Sequence, residues 1–250
     1  MHKFFTPKEN FIEEKAKILG DDVKHLYKVL RLNEGDKIIL NNCNAEEFLA
    51  TISLITKQEV IVDIEEKIEI NNESNIKIYL FQGLPKAQKM DLIVQKGTEL
   101  GITEFIPTLT ERVDVKLKGD FKKLDRLNRI ALEAAKQSKR SLVPTVSDPI
   151  SFKEALDRMK ALDIVIVPYE NAENFGVKTL FNKIDIDVSK IKTVGILVGP
   201  EGGFEIDEIN KLKENGAYIV TLGSRILRTE TAGFVATSLV QYELGDLGGS

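Results

Sequence analysis

The sequence predicts an α/β protein in two domains, a small β-rich domain over residues 1–72 and a domain with a mostly parallel sheet over residues 73–250. Three observations carry this. Before residue 72, short β-branched runs are separated by turn residues; after residue 76, apolar strand-like runs alternate with helix-periodic ones. Between the two patterns lies a polar linker, Asn71-Asn72-Glu73-Ser74-Asn75.

In the first domain, Val23, Leu26, Tyr27 and Leu30 recur at helical spacing and predict a helix over 22–31. Residues 36–40, 48–55 and 59–64 read as strands, with turns at 33–35 and 41–44. In the second domain, strands are predicted at 76–81, 104–108, 163–168, 193–198 and 217–222. Helices are predicted between them at 85–100, 120–139, 151–161, 206–215 and 230–244. Helix 120–139 has two faces. Leu124, Leu127, Ala131, Ala134, Ala135 and Ser138 share one arc, and Lys122, Arg126, Arg129, Lys136 and Arg140 the other. A cationic stripe of this kind can follow a phosphate backbone, although on this feature alone an ordinary solvated surface helix is the favoured reading. The last helix carries no charge from Thr231 to Tyr242, so it needs apolar partners nearly all round, either in the core or on a second copy of the chain.

Composition excludes several chemistries. Cys43 is the single cysteine and His2 and His25 the two histidines, which removes internal disulfides, Cys-rich zinc sites, iron–sulfur clusters and multi-histidine metal centres. No apolar run is long enough to span a bilayer and no secretory leader is recognisable, so the chain reads as cytoplasmic with no membrane partner. The net charge is −4, yet Lys and Arg outnumber Asp and Glu fourteen to nine over residues 73–145. The middle third therefore carries the positive field.

Two loops carry the chemistry. Val198-Gly199-Pro200-Glu201-Gly202-Gly203-Phe204 follows an apolar strand and precedes a helix, a place where ligands sit in open α/β sheets. It matches neither the dinucleotide nor the P-loop fingerprint, and taken alone a plain tight turn explains it equally well. Leu222-Gly223-Ser224-Arg225-Ile226-Leu227-Arg228-Thr229-Glu230-Thr231 follows the next strand. Its apolar and guanidinium groups suit an adenine-bearing cofactor beside an electron-rich substrate, while Thr229 or Thr231 also serves as a helix N-cap.

Together these loops resemble the signature of the bacterial 16S ribosomal RNA (uracil N3)-methyltransferases, a branch of the knotted SPOUT RNA methyltransferases. The segments 25–31, 89–101, Glu111-Arg112 and 134–140 followed by Pro144 are similar to that family as well. The resemblance implies a PUA-like RNA-binding β-barrel over 1–72 and a trefoil-knotted SPOUT domain over 73–250. It implies S-adenosylmethionine (S-adenosyl-L-methionine) as cofactor and a homodimer through the C-terminal domain. The partner would be 16S ribosomal RNA or the assembled small ribosomal subunit, methylated at uridine N3. By the same resemblance the cofactor residues are Leu197, Val198, Gly199, Pro200, Glu201, Gly202, Gly203, Leu222, Gly223, Ile226, Leu227 and Arg228.

Arg228 is assigned to stabilising the uracil anion, with Arg225 as the alternative and Glu230 as the nearest carboxylate for the proton. RNA contacts are expected from His25, Arg31, Lys89, Lys96, Arg112, Arg126, Arg129, Lys136 and Arg140, and also from Lys28 and Lys86. No metal is expected. The chain departs from the family at His2-Lys3, where Arg is common, at Glu205, where Ser or Thr usually caps the helix, and at Gly233, whose missing side chain would allow close helix packing. Two rival readings remain: a non-catalytic RNA-binding protein acting in ribosome assembly, and an enzyme that uses the glycine loop for a nucleotide phosphate.

Overall fold

The structure, a computed structural model, describes residues 1–69, 72–86, 88–115, 121–172, 174–183 and 187–249. Asn71 of the expected linker, and Ala87 and Asp120 of two expected helices, lie outside the described residues. The chain divides into two compact units, Met1–Glu73 with Lys139–Val143, and Ser74–Ser138 with Pro144–Ser250.

The first unit is a six-stranded sheet. Its strands are β1 (Lys3–Phe5), β2 (Phe11–Ile12), β3 (Lys15–Leu19), β4 (Lys37–Asn41), β5 (Glu47–Ile55) and β6 (Glu59–Ile68), in the order β1-β4-β5-β6-β3-β2. All neighbours are antiparallel except β1 and β4. Period-two alternation places Ile18, Ile38, Leu40, Ile52, Val60 and Val62 in one core with Phe4. The helix α1 (Asp21–Lys24), continued by a wider turn over His25–Val29, adds Val23 and Leu26 to it. The Thr6 hydroxyl donates to the Lys17 carbonyl at 2.7 Å, a side-chain link from the end of β1 to β3.

A buried polar cluster explains why Lys139–Val143 belongs to this unit. Glu47, 2% exposed, accepts from Asn41 at 3.1 Å and Ser141 at 3.0 Å and pairs with Lys3. Glu73 accepts from the amides of Ser141 and Leu142 and pairs with Arg140 at 2.7 Å. One expectation is corrected here: Arg140 is buried against Glu73 rather than exposed on the cationic stripe. Lys3, at the departure from the family pattern, answers a buried carboxylate.

The second unit is a parallel sheet covered on both faces. Its strands are β7 (Lys77–Gly83), β8 (Ile102–Leu109), β9 (Thr145–Val146), β10 (Ile150–Ser151), β11 (Ile164–Pro168), β12 (Thr193–Val198) and β13 (Tyr218–Val220). The order is β10-β8-β7-β12-β11-β13, with β9 also on β8, and every pair is parallel. The helices are α2 (Lys89–Glu99), α3 (Leu124–Gln137), α4 (Phe152–Met159), α5 (Val177–Lys183), α6 (Ile206–Glu214) and α7 (Thr229–Leu244). Alternation along the strands feeds two cores. Ile78, Leu80, Ile196 and Val198 face α2, α3, α5 and α7, while Phe81 and Leu197 face α4 and α6. α5 and β3 were not foreseen, and neither were β1, β2, β9 and β10, which at two or three residues are too brief to show a period.

Candidate active site

β12 lies between β7 and β11, so the chain leaves β11, returns to the middle of the sheet and then crosses to the edge strand β13. The loops after β12 and β13 thus flank the end of β11. Such a reversal opens a crevice at the carboxyl ends of the strands. The crevice is a hollow of about 360 Å³ lined by Val198, Gly199, Pro200, Glu201, Gly203 and Phe204 from the first loop. Ile226, Leu227, Arg228, Thr229 and Ala232 from the second loop, together with Pro168, Glu170 and Lys89, complete it. A smaller hollow of about 90 Å³ takes in Leu222, Gly223 and Arg225 and shares Pro168, Glu170, Ile226 and Leu227 with the larger one.

The glycine loop is seated by close approach. A Cβ on Gly83, at the end of β7, would stand 2.5 Å from the Pro200 nitrogen, so only glycine lets the loop rest there. Gly203 has φ +72°, a conformation that a side chain would strain. Arg112 braces the loop from β8's side: its Nε donates to Glu205 at 2.7 Å and its Nη1 to the Gly202 carbonyl at 3.0 Å. The Glu205 carboxylate beside it raises the Arg112 guanidinium above its ordinary range. Glu208, 6% exposed, accepts from the amides of Glu205 and Glu111 at 3.0 Å each. Helix α6 is therefore capped from within by Glu208, and Glu205 in place of Ser or Thr leaves the helix start satisfied.

At the rim, Lys89 lies 3.0 Å from Glu201 and 3.4 Å from Glu230. The hydrogen bond to Glu201 raises the Lys89 ammonium above its ordinary range. Burial pushes the Glu201 carboxyl up, but its own backbone amide, the Lys89 ammonium and the Lys86 amide outweigh that and hold it below the usual carboxylate range.

Several expected residues stand elsewhere or act otherwise. Leu197 is buried in the opposite core and Gly202 packs on Arg112, so neither lines a hollow. Arg228 is the N-cap of α7 by position, and Thr229 is its first residue; neither threonine caps it. Lys89 and Arg112, expected on RNA, are held by the carboxylates of the hollow and its loop. Arg126 pairs with Asp91, Lys96 with Glu99 and Lys136 with Glu133, and Lys86 with Asp114. Arg129 on α3 and Arg225 and Arg228 of the second loop are exposed and make no ion pair among the described residues. His25, Lys28 and Arg31 are exposed on the first unit, Arg31 at φ +55° where the helical turn ends. Sequence reading missed Pro168 and Glu170, which only the strand order brings to the site, and Gln82 and Glu208, whose roles depend on contacts distant in sequence; Thr229, read as a cap, instead bonds Gln82 and Gly199.

Residues 72–241 match the family model for the RNA methyltransferase domain, and residues 18–65 match that for the RNA methyltransferase PUA domain. The chain belongs to the RNA methyltransferase family. Within it, the chain is 40% identical to ribosomal RNA small subunit methyltransferase E of Bacillus subtilis, across 90% of this chain and 89% of that one. It is 33% identical to the enzyme of the same name from Mesomycoplasma hyopneumoniae, across 96% and 100%. The crystal structure of ribosomal RNA small subunit methyltransferase E from Neisseria gonorrhoeae, bound to S-adenosyl methionine, superposes with a TM-score of 0.82 at 30% identity, covering 99% of each chain. The expected architecture, an α/β RNA methyltransferase domain behind a PUA domain, is the one found.

The hollow in this RNA methyltransferase fits such a cofactor on its own terms. Its volume is in the range of small-molecule sites, and its lining sets apolar wall from Val198, Pro200, Phe204, Ile226, Leu227 and Ala232 beside the charged groups of Lys89, Glu170, Glu201 and Arg228.

Proposed function

We propose that this chain transfers a methyl group from S-adenosylmethionine to N3 of a uridine in 16S ribosomal RNA of the small subunit. The observation that carries the reading is the convergence of both signature loops on one hollow with Arg228 on its wall. Val198, the glycine loop, Ile226 and Leu227 would hold the cofactor, which supplies an electrophilic methyl on a sulfonium. The chain's task is then to position the base, exclude water and manage one proton. As the N3 proton leaves, charge spreads onto O2 and O4 of the uracil. The Arg228 guanidinium, on the wall of the hollow and without an ion pair among the described residues, would stabilise it, with Arg225 on the adjoining hollow as the alternative. Glu230 is the weaker candidate for the proton because its carboxylate faces Lys89.

RNA would be drawn to the basic outer face of α3, with Arg129 the uncommitted cation, and to His25 and Arg31 of the first unit. On the outer side of α7 Val235 is part-exposed and Tyr242 is 66% exposed, while Phe234 and Leu239 pack on the core; that outer side would meet a second copy of the chain. No helix among the described residues is long and apolar enough to cross a membrane. The site of action would be the cytoplasm, where the ribosomal RNA is.

Calorimetry tests the cofactor assignment. S-adenosylmethionine and S-adenosylhomocysteine should bind, and ATP should not compete. Binding of RNA with no affinity for either adenosyl compound would favour the non-catalytic reading instead.

A further inference from the structure

The end of β7 holds a buried polar group that packing alone does not require. Gln82 is fully buried, and its Oε1 has no hydrogen-bond partner among the described residues. A buried acceptor left unpaired costs free energy, so its retention calls for a reason. The reason lies at the other end of the amide. Nε2 donates to the Thr229 hydroxyl at 2.8 Å and to the Gly83 carbonyl at 3.1 Å, and the Thr229 hydroxyl donates to the Gly199 carbonyl at 2.6 Å. Three segments far apart in sequence are thereby joined under the hollow: the end of β7, the start of the glycine loop and the first residue of α7.

The direction of the relay is fixed by its first donor. Because the Gln82 amide gives a proton to Thr229 Oγ1, the hydroxyl's own proton is free to go to Gly199. Reversing the amide would aim an acceptor at Thr229, take that proton and leave the Gly199 carbonyl unanswered. Thr229 is 6% exposed, lines the hollow and follows Arg228 directly. Fixing Thr229 therefore fixes the point from which the Arg228 side chain departs.

We infer that Gln82 and Thr229 are positioning residues: their relay holds the Gly199 carbonyl and the Arg228 backbone in the one arrangement that binds the cofactor and serves transfer. The inference rests on the proposed methyltransferase reading. It is tested with the full chain by calorimetry with S-adenosylmethionine, by steady-state kinetics and by thermal melting. Thr229→Val keeps the shape and removes the hydroxyl; Thr229→Ser keeps the hydroxyl; Gln82→Met removes the donor.

Thr229→Val should weaken cofactor binding about tenfold and lower kcat by at least as much, while Thr229→Ser stays within about twofold of wild type. Gln82→Met should weaken binding by a few-fold and add nothing further in the Thr229→Val background, the non-additivity expected of one relay. If Thr229→Val does not fold, the Gln82→Met and Thr229→Ser pair carries the same comparison. Folded Thr229→Val that binds and turns over like wild type, or two losses that simply add, would overturn the relay. Wild-type protein without affinity for S-adenosylmethionine would overturn the functional reading first, and this inference with it.

Discussion

At the residue scale the hollow separates cations by what they already hold. Lys89 and Arg112 are engaged with the glycine loop or its neighbours, whereas Arg228 has no ion-pair partner among the described residues. Arg228→Ala should reduce the single-turnover rate by about 10²- to 10³-fold with cofactor affinity nearly unchanged, and an undiminished rate would remove the residue from catalysis. Glu201 gives a pH signature. Its folded carboxyl sits below the usual range, so the stability it contributes is present above the ordinary carboxylate value and is lost as pH falls through the lower, folded one. Melting temperature against pH should therefore show an acid limb that Glu201→Gln makes shallower. Most residues of the hollow were legible in the sequence because the two loops are contiguous and rich in special residues. Glu170, Gln82 and Glu208 were not, since nothing local marks a carboxylate or amide whose partners lie across the fold.

At the element scale two helix glycines look alike in sequence and differ in space. A Cβ on Gly97 in α2 would come within 2.5 Å of the Phe105 ring, whereas one on Gly233 in α7 would meet nothing closer than 3.7 Å. The close packing expected at Gly233 belongs instead to Gly97. Gly97→Ala should destabilise by about 1–3 kcal/mol, and Gly233→Ala should stabilise by up to about 1 kcal/mol, both read from urea midpoints. Helix α3 behaves as its periodicity foretold on the buried side, where Leu127, Ala131, Ala134 and Ala135 pack inward. Its other side is less free than a count of cations implies, because Arg126 and Lys136 are paired and Arg140 is buried. Neutralising Arg129 should flatten the slope of log affinity for RNA against log salt by roughly 0.7–0.9; an unchanged slope would take α3 off the RNA surface.

At the scale of the whole molecule, the alternation of strands and helices was enough to foresee a parallel sheet, but not its order. Placing β12 between β7 and β11 is a long-range choice, and it is that choice which brings Pro168 and Glu170 between the two loops. The return of Lys139–Val143 to the first unit was equally invisible, because it rests on buried ion pairs and amide bonds rather than on any periodic signal. The proposed dimer would meet through the outer side of α7, where Val235 and Tyr242 stand. Val235→Glu should convert a dimeric sedimentation profile to a monomeric one, and a wild-type protein that sediments as a monomer would end that assignment.

The decisive measurement is to incubate the protein and methyl-labelled S-adenosylmethionine with small ribosomal subunits lacking the modification, then digest the 16S RNA and locate the label by mass spectrometry. A single labelled uridine carrying the methyl on N3, absent with Arg228→Ala, is the predicted result. Label on a ribose, on another base or on no RNA at all would contradict the account.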